Sequence, residues 1–199
     1  VLNPDGTIVN SEAKGILFKS AGNNLTIVPF FGSSGNGFVV FGEKGAIANK
    51  SFDLLPLTGE RVAGKGWISR DVAVIDADNG LFILTEDGNL ARRDMVLPKR
   101  TWPISDGSLA NFIRMIAIDE YLVLLDRRGQ VFRWKVVDGT VQGDKEPIGK
   151  VWGANTQIAS LNDNKHFVIK SQNDIISYQD VNGGAPVAIG KFRQSLPVF

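Results

Sequence analysis

Short apolar runs separated by tight polar turns follow one another along this chain, and five of those turns are built alike. They centre on Gly6, Gly45, Gly88, Gly129 and Asp174, so the pattern returns after 39, 43, 41 and 45 residues. The segments read VLNPDGTIVN, FVVFGEKGAIAN, LFILTEDGNLAR, LVLLDRRGQVFRW and FVIKSQNDIISY. Each is an apolar run, a turn carrying Gly or Asp, and a second run, which predicts five β-hairpins. A further apolar run precedes most of them, at residues 27–31, 72–75, 112–118 and 158–161. The third copy shows the whole unit: the run at 112–118, a turn at Asp119-Glu120, the hairpin from Tyr121 to Val137, then a looser stretch to Lys150. That is four strands in up-and-down order. Near-continuous apolarity in the first runs predicts burial on both faces near an axis, whereas Gln130-Val131-Phe132-Arg133-Trp134-Lys135 alternates with charge and belongs further out. Residues 138–146 (DGTVQGDKE) predict a polar loop inside the third unit, and residues 51–60 one inside the first. No stretch carries helical periodicity with a cap.

A unit of about 40 residues with several strands cannot bury both faces alone and must stack on its neighbours, the arrangement of a β-propeller. The expected fold is therefore all-β, one domain over 1–199: a five-bladed β-propeller of four-stranded antiparallel blades. The blades fall near 22–67, 68–106, 107–152 and 153–191, with a closing blade made of 192–199 plus 1–21. The chain begins at a second strand, Val1-Leu2 before the turn Asn3-Pro4-Asp5-Gly6, and ends on a run at 195–199 that matches a first strand. Pairing of the N- and C-terminal segments would close the ring and remove its open edges. Pro197, which lacks a ladder donor, must then face away from its neighbour.

Composition narrows the chemistry. Of 199 residues 43% are hydrophobic, yet no apolar run approaches the ~20 residues that cross a bilayer, so no membrane insertion is expected. Lys and Arg number 22 against 21 Asp and Glu, a net charge of +1 that gives no field to draw in nucleic acid. The pairs Arg92-Arg93 and Arg127-Arg128 are read as solvated hairpin charges. The absence of cysteine excludes disulfides, thiolate chemistry and Cys-ligated zinc, and a lone His166 excludes a polyhistidine metal site and a paired-histidine acid–base mechanism. Asp76-Ala77-Asp78-Asn79-Gly80 imitates the start of a calcium loop, but Leu81-Phe82-Ile83-Leu84 continues it as an apolar strand. Gly32 to Gly37 lacks the lysine and helix of a phosphate loop. Within the inner runs the charged side chain is Arg114, and Asp76 with Asp119 is the only carboxyl pair comparably placed on adjacent units; both are read as turn residues. No catalytic residue, metal or cofactor is expected, and the chain is not expected to be an enzyme.

The units also share a tail: Ala63-Gly64-Lys65-Gly66-Trp67, Ile148-Gly149-Lys150-Val151-Trp152, Ile189-Gly190-Lys191-Phe192-Arg193, and more loosely Leu17-Phe18-Lys19-Ser20-Ala21 and Ile104-Ser105-Asp106-Gly107-Ser108. An apolar residue, Gly, any residue, Gly and Trp ahead of each first strand resembles, along the whole chain, the tachylectin and tectonin group of β-propellers. The resemblance implies a lectin-like recognition module with shallow sites at the blade edges. One would lie beside Gly66-Trp67 and another beside Trp152, an indole face packing on a sugar ring, with Lys65, Lys150 and Arg193 at the rim. Ala21, Ser108 and Arg193 stand where the other units would carry the Trp. Read from the residues alone, Trp67 and Trp152 fit equally as fillers between blades, with Gly64 and Gly149 permitting a close turn and the lysines a solvated rim. The expected function is a non-catalytic, carbohydrate-binding module for a glycan or glycoprotein surface or a protein partner. The alternative is a structural or protein-interaction scaffold. A chain opening at Val1, with no charged or apolar leader, reads as a processed mature protein or as a trimmed one; the compartment is left open, a secreted or cell-surface setting being slightly favoured.

Overall fold

The computed structural model describes the strands given below together with residues 87–89, 108–111 and the connections within 119–186 apart from 162; side chains are described at 73, 80–85, 87–92, 108–161 and 163–191. A hairpin of β1 (Thr7–Asn10) and β2 (Gly15–Lys19) is followed by four-stranded antiparallel sheets, each with its strands in chain order. The first holds β3 (Thr26–Gly32), β4 (Gly35–Phe41), β5 (Ala46–Ser51) and β6 (Arg61–Ala63), and the second β7 (Ser69–Ile75), β8 (Gly80–Thr85), β9 (Leu90–Asp94) and β10 (Thr101–Pro103). The third holds β11 (Phe112–Ile118), β12 (Tyr121–Asp126), β13 (Val131–Val137) and β14 (Thr140–Ile148), and the fourth β15 (Gln157–Ser160), β16 (His166–Lys170), β17 (Ile175–Asp180) and β18 (Val187–Lys191). No helix occurs among the described residues. The first strands touch in succession, β3 on β7, β7 on β11 and β11 on β15, so they form the inner circle of the stack. Residues 1–6, 52–60 and 192–199 lie outside the described residues, and with them the turn at Gly6, the loop expected at 51–60 beyond Ser51, and the terminal pairing.

Two expectations are corrected. Among the described side chains the deepest burial falls on second strands: β8 is buried throughout and β12 from Leu122 to Leu125, whereas β11 and β15 keep exposed positions. An innermost strand has a ladder partner on one side only, while the second strand is flanked by strands and covered on both faces. Residues 138–146 are not a loop. The turn is confined to Asp138-Gly139, at φ 50° and 72°, and the rest is β14, an outer strand so exposed that no apolar period marks it.

Alternation along β12 joins the sheets. Leu122 and Leu124 point to the second sheet, where they meet Phe82, Leu84 and Leu90; Val123 and Leu125 point to the fourth, where they meet Ile158, Phe167 and Ile169. Each such side chain contributes about 1.5–3 kcal/mol by leaving water, so the seams carry most of the stability. Two backbone hydrogen bonds cross them at equivalent places: Leu109 N–H donates to Gly88 O at 3.1 Å, and Trp152 N–H to Gly129 O at 2.9 Å. The hairpin turns are locked by the residue that opens them. Asp126 Oδ1 accepts the N–H groups of Arg128 (2.9 Å) and Gln130 (2.8 Å), and Ser171 Oγ that of Ile175 (3.2 Å). Gly88, Gly129 and Asp174 hold the left-handed position at φ 85°, 84° and 59°. At Gly129 a Cβ would lie 2.1 Å from Gly153 O of the following sheet's approach, so the backbone admits only glycine there.

Arg92 departs from the reading of solvated hairpin charges. It is 7% exposed, and its guanidinium lies against Gly80 and, one sheet on, under Gly139. Arg133 holds the same register position in the third sheet, and its Nη1 donates to Val181 O of the fourth at 3.0 Å. Strand-three arginines thus act as struts between consecutive sheets. Arg127 and Arg128 are exposed, as expected, and the side chain of Arg93 is outside the described residues.

Candidate functional site

Of the residues singled out for sugar binding, Trp152 and Lys150 are described. Trp152 is 7% exposed and packs in the seam with Val123, Phe167 and Ile169, and the ammonium of Lys150 lies 4.7 Å from the ring centroid. An indole enclosed in this way presents no open face to a sugar ring. Its Nε1–H is buried without an acceptor among the described residues. Gly149, at φ 68°, lets the chain pass the buried Gln179, whose Oε1 would sit 2.6 Å from a Cβ there. The cross-seam hydrogen bonds further show that the counterpart of Trp152 in the preceding sheet is Leu109, fully buried, and not Ser108. That position therefore takes a large apolar side chain for packing. Trp67, Gly66, Lys65 and Arg193 lie outside the described residues, as does Asp76.

Asp119 is the left-handed corner of the β11–β12 turn, at φ 52°. His166 is held by its own strand end: its Nδ1 is 2.6 Å from Asp163 Oδ2, and Asp163 Oδ1 accepts its backbone N–H at 2.8 Å. That backbone donor, followed by the imidazole, pulls the Asp163 carboxyl down to about 2, so it stays ionised well into acid. Lys165 pairs with Asp180 at 3.2 Å beside it, and the imidazole stands edge-on to Tyr178 at 5.5 Å. These contacts pin the β15–β16 connection. Among the described residues no group of three His, Asp or Glu could hold a metal ion.

Among the described residues a concave feature lies on the inner circle. Arg114 from β11, Gln157, Ile158 and Ala159 from β15, and Val168 and Lys170 from β16 line a cleft of about 410 Å3. A bulge between Phe112 and Arg114 leaves Ile113 unpaired and brings Arg114 opposite Leu125, a device that re-aims a side chain at a sheet rim. Gln157 pairs with Lys170 across the β15–β16 ladder. Ile158 is buried and forms the floor, while Arg114 and Gln157 are exposed. Lys170 Nζ is bound to Asp174 Oδ1 at 2.7 Å. The same ladder position recurs along the inner circle: Thr26 opposite Phe41, Asp71 opposite Leu84, Arg114 opposite Leu125 and Gln157 opposite Lys170. Each of these four described strands places a hydrophilic residue there, at the end that carries the hairpin turns. Arg114 stands out in the sequence as the charged residue of an inner run, but Gln157 and Lys170 do not, because their juxtaposition depends on ladder register.

No family model matches this chain, and no curated protein does. The resemblance to the tachylectin and tectonin group is therefore not confirmed. Solved structures are similar. The β-propeller domain of Cps50 (Swd1) from Myceliophteria thermophila matches at a TM-score of 0.62 and 14% identity, over 96% of this chain and 66% of that one. The computationally designed Ika8 protein matches at 0.56 and 16%, over 92% of this chain and 55% of its own. A chain of the nidogen–laminin complex matches at 0.54 and 11%, over 87% and 64%. This chain spans less than two thirds of each. At such identities the likeness carries the fold alone: stacked antiparallel four-stranded sheets around a shared inner circle make this chain a β-propeller.

Proposed function

We propose that this chain is a non-catalytic propeller that holds a protein partner at the turn-bearing end of its inner strands. The observation that carries the reading is the cleft, an apolar floor rimmed by Arg114, Gln157 and Lys170, set against the enclosure of Trp152. Propellers of similar fold include a chain from an assembly of two proteins, nidogen and laminin, which supports a partner of that kind. The test is a peptide array and a glycan array probed with the same purified chain. Retention on peptides with none on glycans is expected. Glycan retention lost in Trp67→Ala, with unfolding unchanged, would return the carbohydrate reading.

The ring we propose has five blades, the fifth made of 195–199, the run before Gly6, β1 and β2. Its support is an asymmetry between repeats. Ile148 in the third sheet is 5% exposed beneath the fourth, whereas on β18, the outer strand of the fourth, Ile189 is 59% and Val187 45% exposed. Ile189 shares the Ile-Gly-Lys motif with Ile148, although the ladder position of Ile148, opposite Val131, is taken by Gly190, opposite Ile176. A closing blade would cover that face. Ile189→Asp is then expected to cost about 2 kcal/mol or more, read as a lower denaturant midpoint, because a charge would be forced into a seam. An unchanged midpoint and m-value would mean that the face is open in solution.

A further inference from the structure

Resting on the protein-partner reading, we propose that the hairpin-turn end of the third and fourth units, outside the inner cleft, is a docking surface for an acidic peptide segment of the partner. Three stretches of chain meet there. Trp152 N–H binds Gly129 O at 2.9 Å, and the Gln172 side chain fills the place beside Gly153 that a Cβ would take, so the β12–β13 turn, the approach to β15 and the β16–β17 turn form one continuous surface. Arg127 and Arg128 stand on the first stretch, Lys150 and Val151 on the second and Gln172 on the third, all exposed, and Lys191 ends β18 at the same level, opposite Ile175. Among the described residues Arg127, Arg128 and Lys191 have no ion-pair partner, and Lys150 meets the Trp152 ring, which leaves its charge uncompensated. Arg114 has a partner of its own and is not needed. Of the carboxylates of these two turns, Asp174 is cancelled by Lys170, and Asp126 is turned onto the N–H groups of its own hairpin. The opposite end is the complement: Asp119 and Asp138 are exposed there without an ion pair among the described residues, and Lys135, Lys165 and His166 are each held by a carboxylate. A net charge of +1 conceals this separation of a positive end from a negative one. Guanidinium forks pair with carboxylates, while Val151, 58% exposed, offers an apolar contact and the Gln172 amide can bond to a peptide backbone. That set suits an extended segment of Glu or Asp carrying an apolar residue. No exposed aromatic ring stands at this end among the described residues to stack a base, which favours a peptide over single-stranded nucleic acid.

The experiment uses the whole chain and two pools of labelled nonapeptides, randomised except for Glu or Gln at alternate positions, with a labelled oligothymidylate beside them, followed by fluorescence anisotropy. The Glu pool is expected to bind about tenfold more tightly than the Gln pool at about 0.05 M salt, and to lose most of that advantage by about 0.5 M. Arg128→Glu and Lys165→Glu change the net charge equally, at opposite ends of the sheets. The first should weaken binding of the Glu pool about fivefold and the second less than about twofold. Both side chains are exposed, so the variants should unfold at the parent temperature; if Arg128→Glu does not fold, Lys191→Glu and the salt dependence decide the matter. Equal binding of the Glu and Gln pools, or the same loss in Arg128→Glu and Lys165→Glu, overturns the acidic-peptide surface. Oligothymidylate that binds more tightly than the Glu pool and is lost in Arg128→Glu overturns the choice of a peptide. Peptides retained without regard to charge would sink this inference alone, whereas no retention of any peptide sinks the protein-partner reading beneath it.

Discussion

Gly129→Ala is expected to lower stability by about 2–5 kcal/mol, combining ~1–2 kcal/mol for an alanine held at left-handed φ with ~1–3 kcal/mol for forcing a methyl into a filled seam. The seam term is specific. The new Cβ would lie 2.1 Å from Gly153 O and 2.6 Å from its nitrogen, and both are backbone atoms that cannot swing aside. Retreat would pull the Trp152 N–H from Gly129 O and open the join between the third and fourth sheets. Gly143→Ala is the matched control: φ is 61° there, and no atom lies within 4 Å of the added methyl, so only the left-handed cost of about 1–2 kcal/mol applies. Chemical denaturation of the pair reads the difference directly. Equal losses would show that the join at Gly129 yields to a methyl.

Trp152→Ala should cost about 3–5 kcal/mol, the price of emptying a core site of that size. Trp152→Phe should cost less than half as much. Phenylalanine keeps most of the contact with Phe167 and Ile169, and it removes an indole N–H buried without an acceptor, a group whose burial costs about 1–3 kcal/mol. Binding per folded molecule should be the same in parent, Phe and Ala variants at a temperature where all three are folded. An Ala variant that unfolds at the parent midpoint but loses a glycan ligand would make the indole a platform.

The sequence was most readable where burial repeats with the ladder. Alternation of Leu122, Val123, Leu124 and Leu125 between two seams leaves no polar position between Tyr121 and Asp126, and the Gly and Asp turns mark where the chain reverses, so hairpins and inner strands were legible. β14 was not, because its side chains face water and Gln142, Asp144 and Glu146 carry no trace of the ladder. The buried role of Arg92 was hidden for the opposite reason: a basic side chain beside a turn reads as solvated, and only the passage of Gly139 above it shows otherwise. The cleft was half legible. Arg114 interrupts an apolar run and draws notice at once, whereas Gln157 and Lys170 meet it only through the register of two ladders and the contact of β11 with β15. Trp152 was equally compatible with seam and site from its sequence, since an amphipathic ring serves both.

Every cross-sheet device described above points the same way along the chain. The hairpin carbonyls of Gly88 and Gly129 and the arginines at 92 and 133 reach forward to the next unit, which answers with Leu109 or Trp152, the Asp138-Gly139 turn or Val181. One repeat thus encodes both halves of its own joint. An in-frame duplication of some 40 residues would insert a unit that docks on the copy before it and receives the copy after it without a single new contact having to arise, so lengthening of the gene and growth of the stack are the same event.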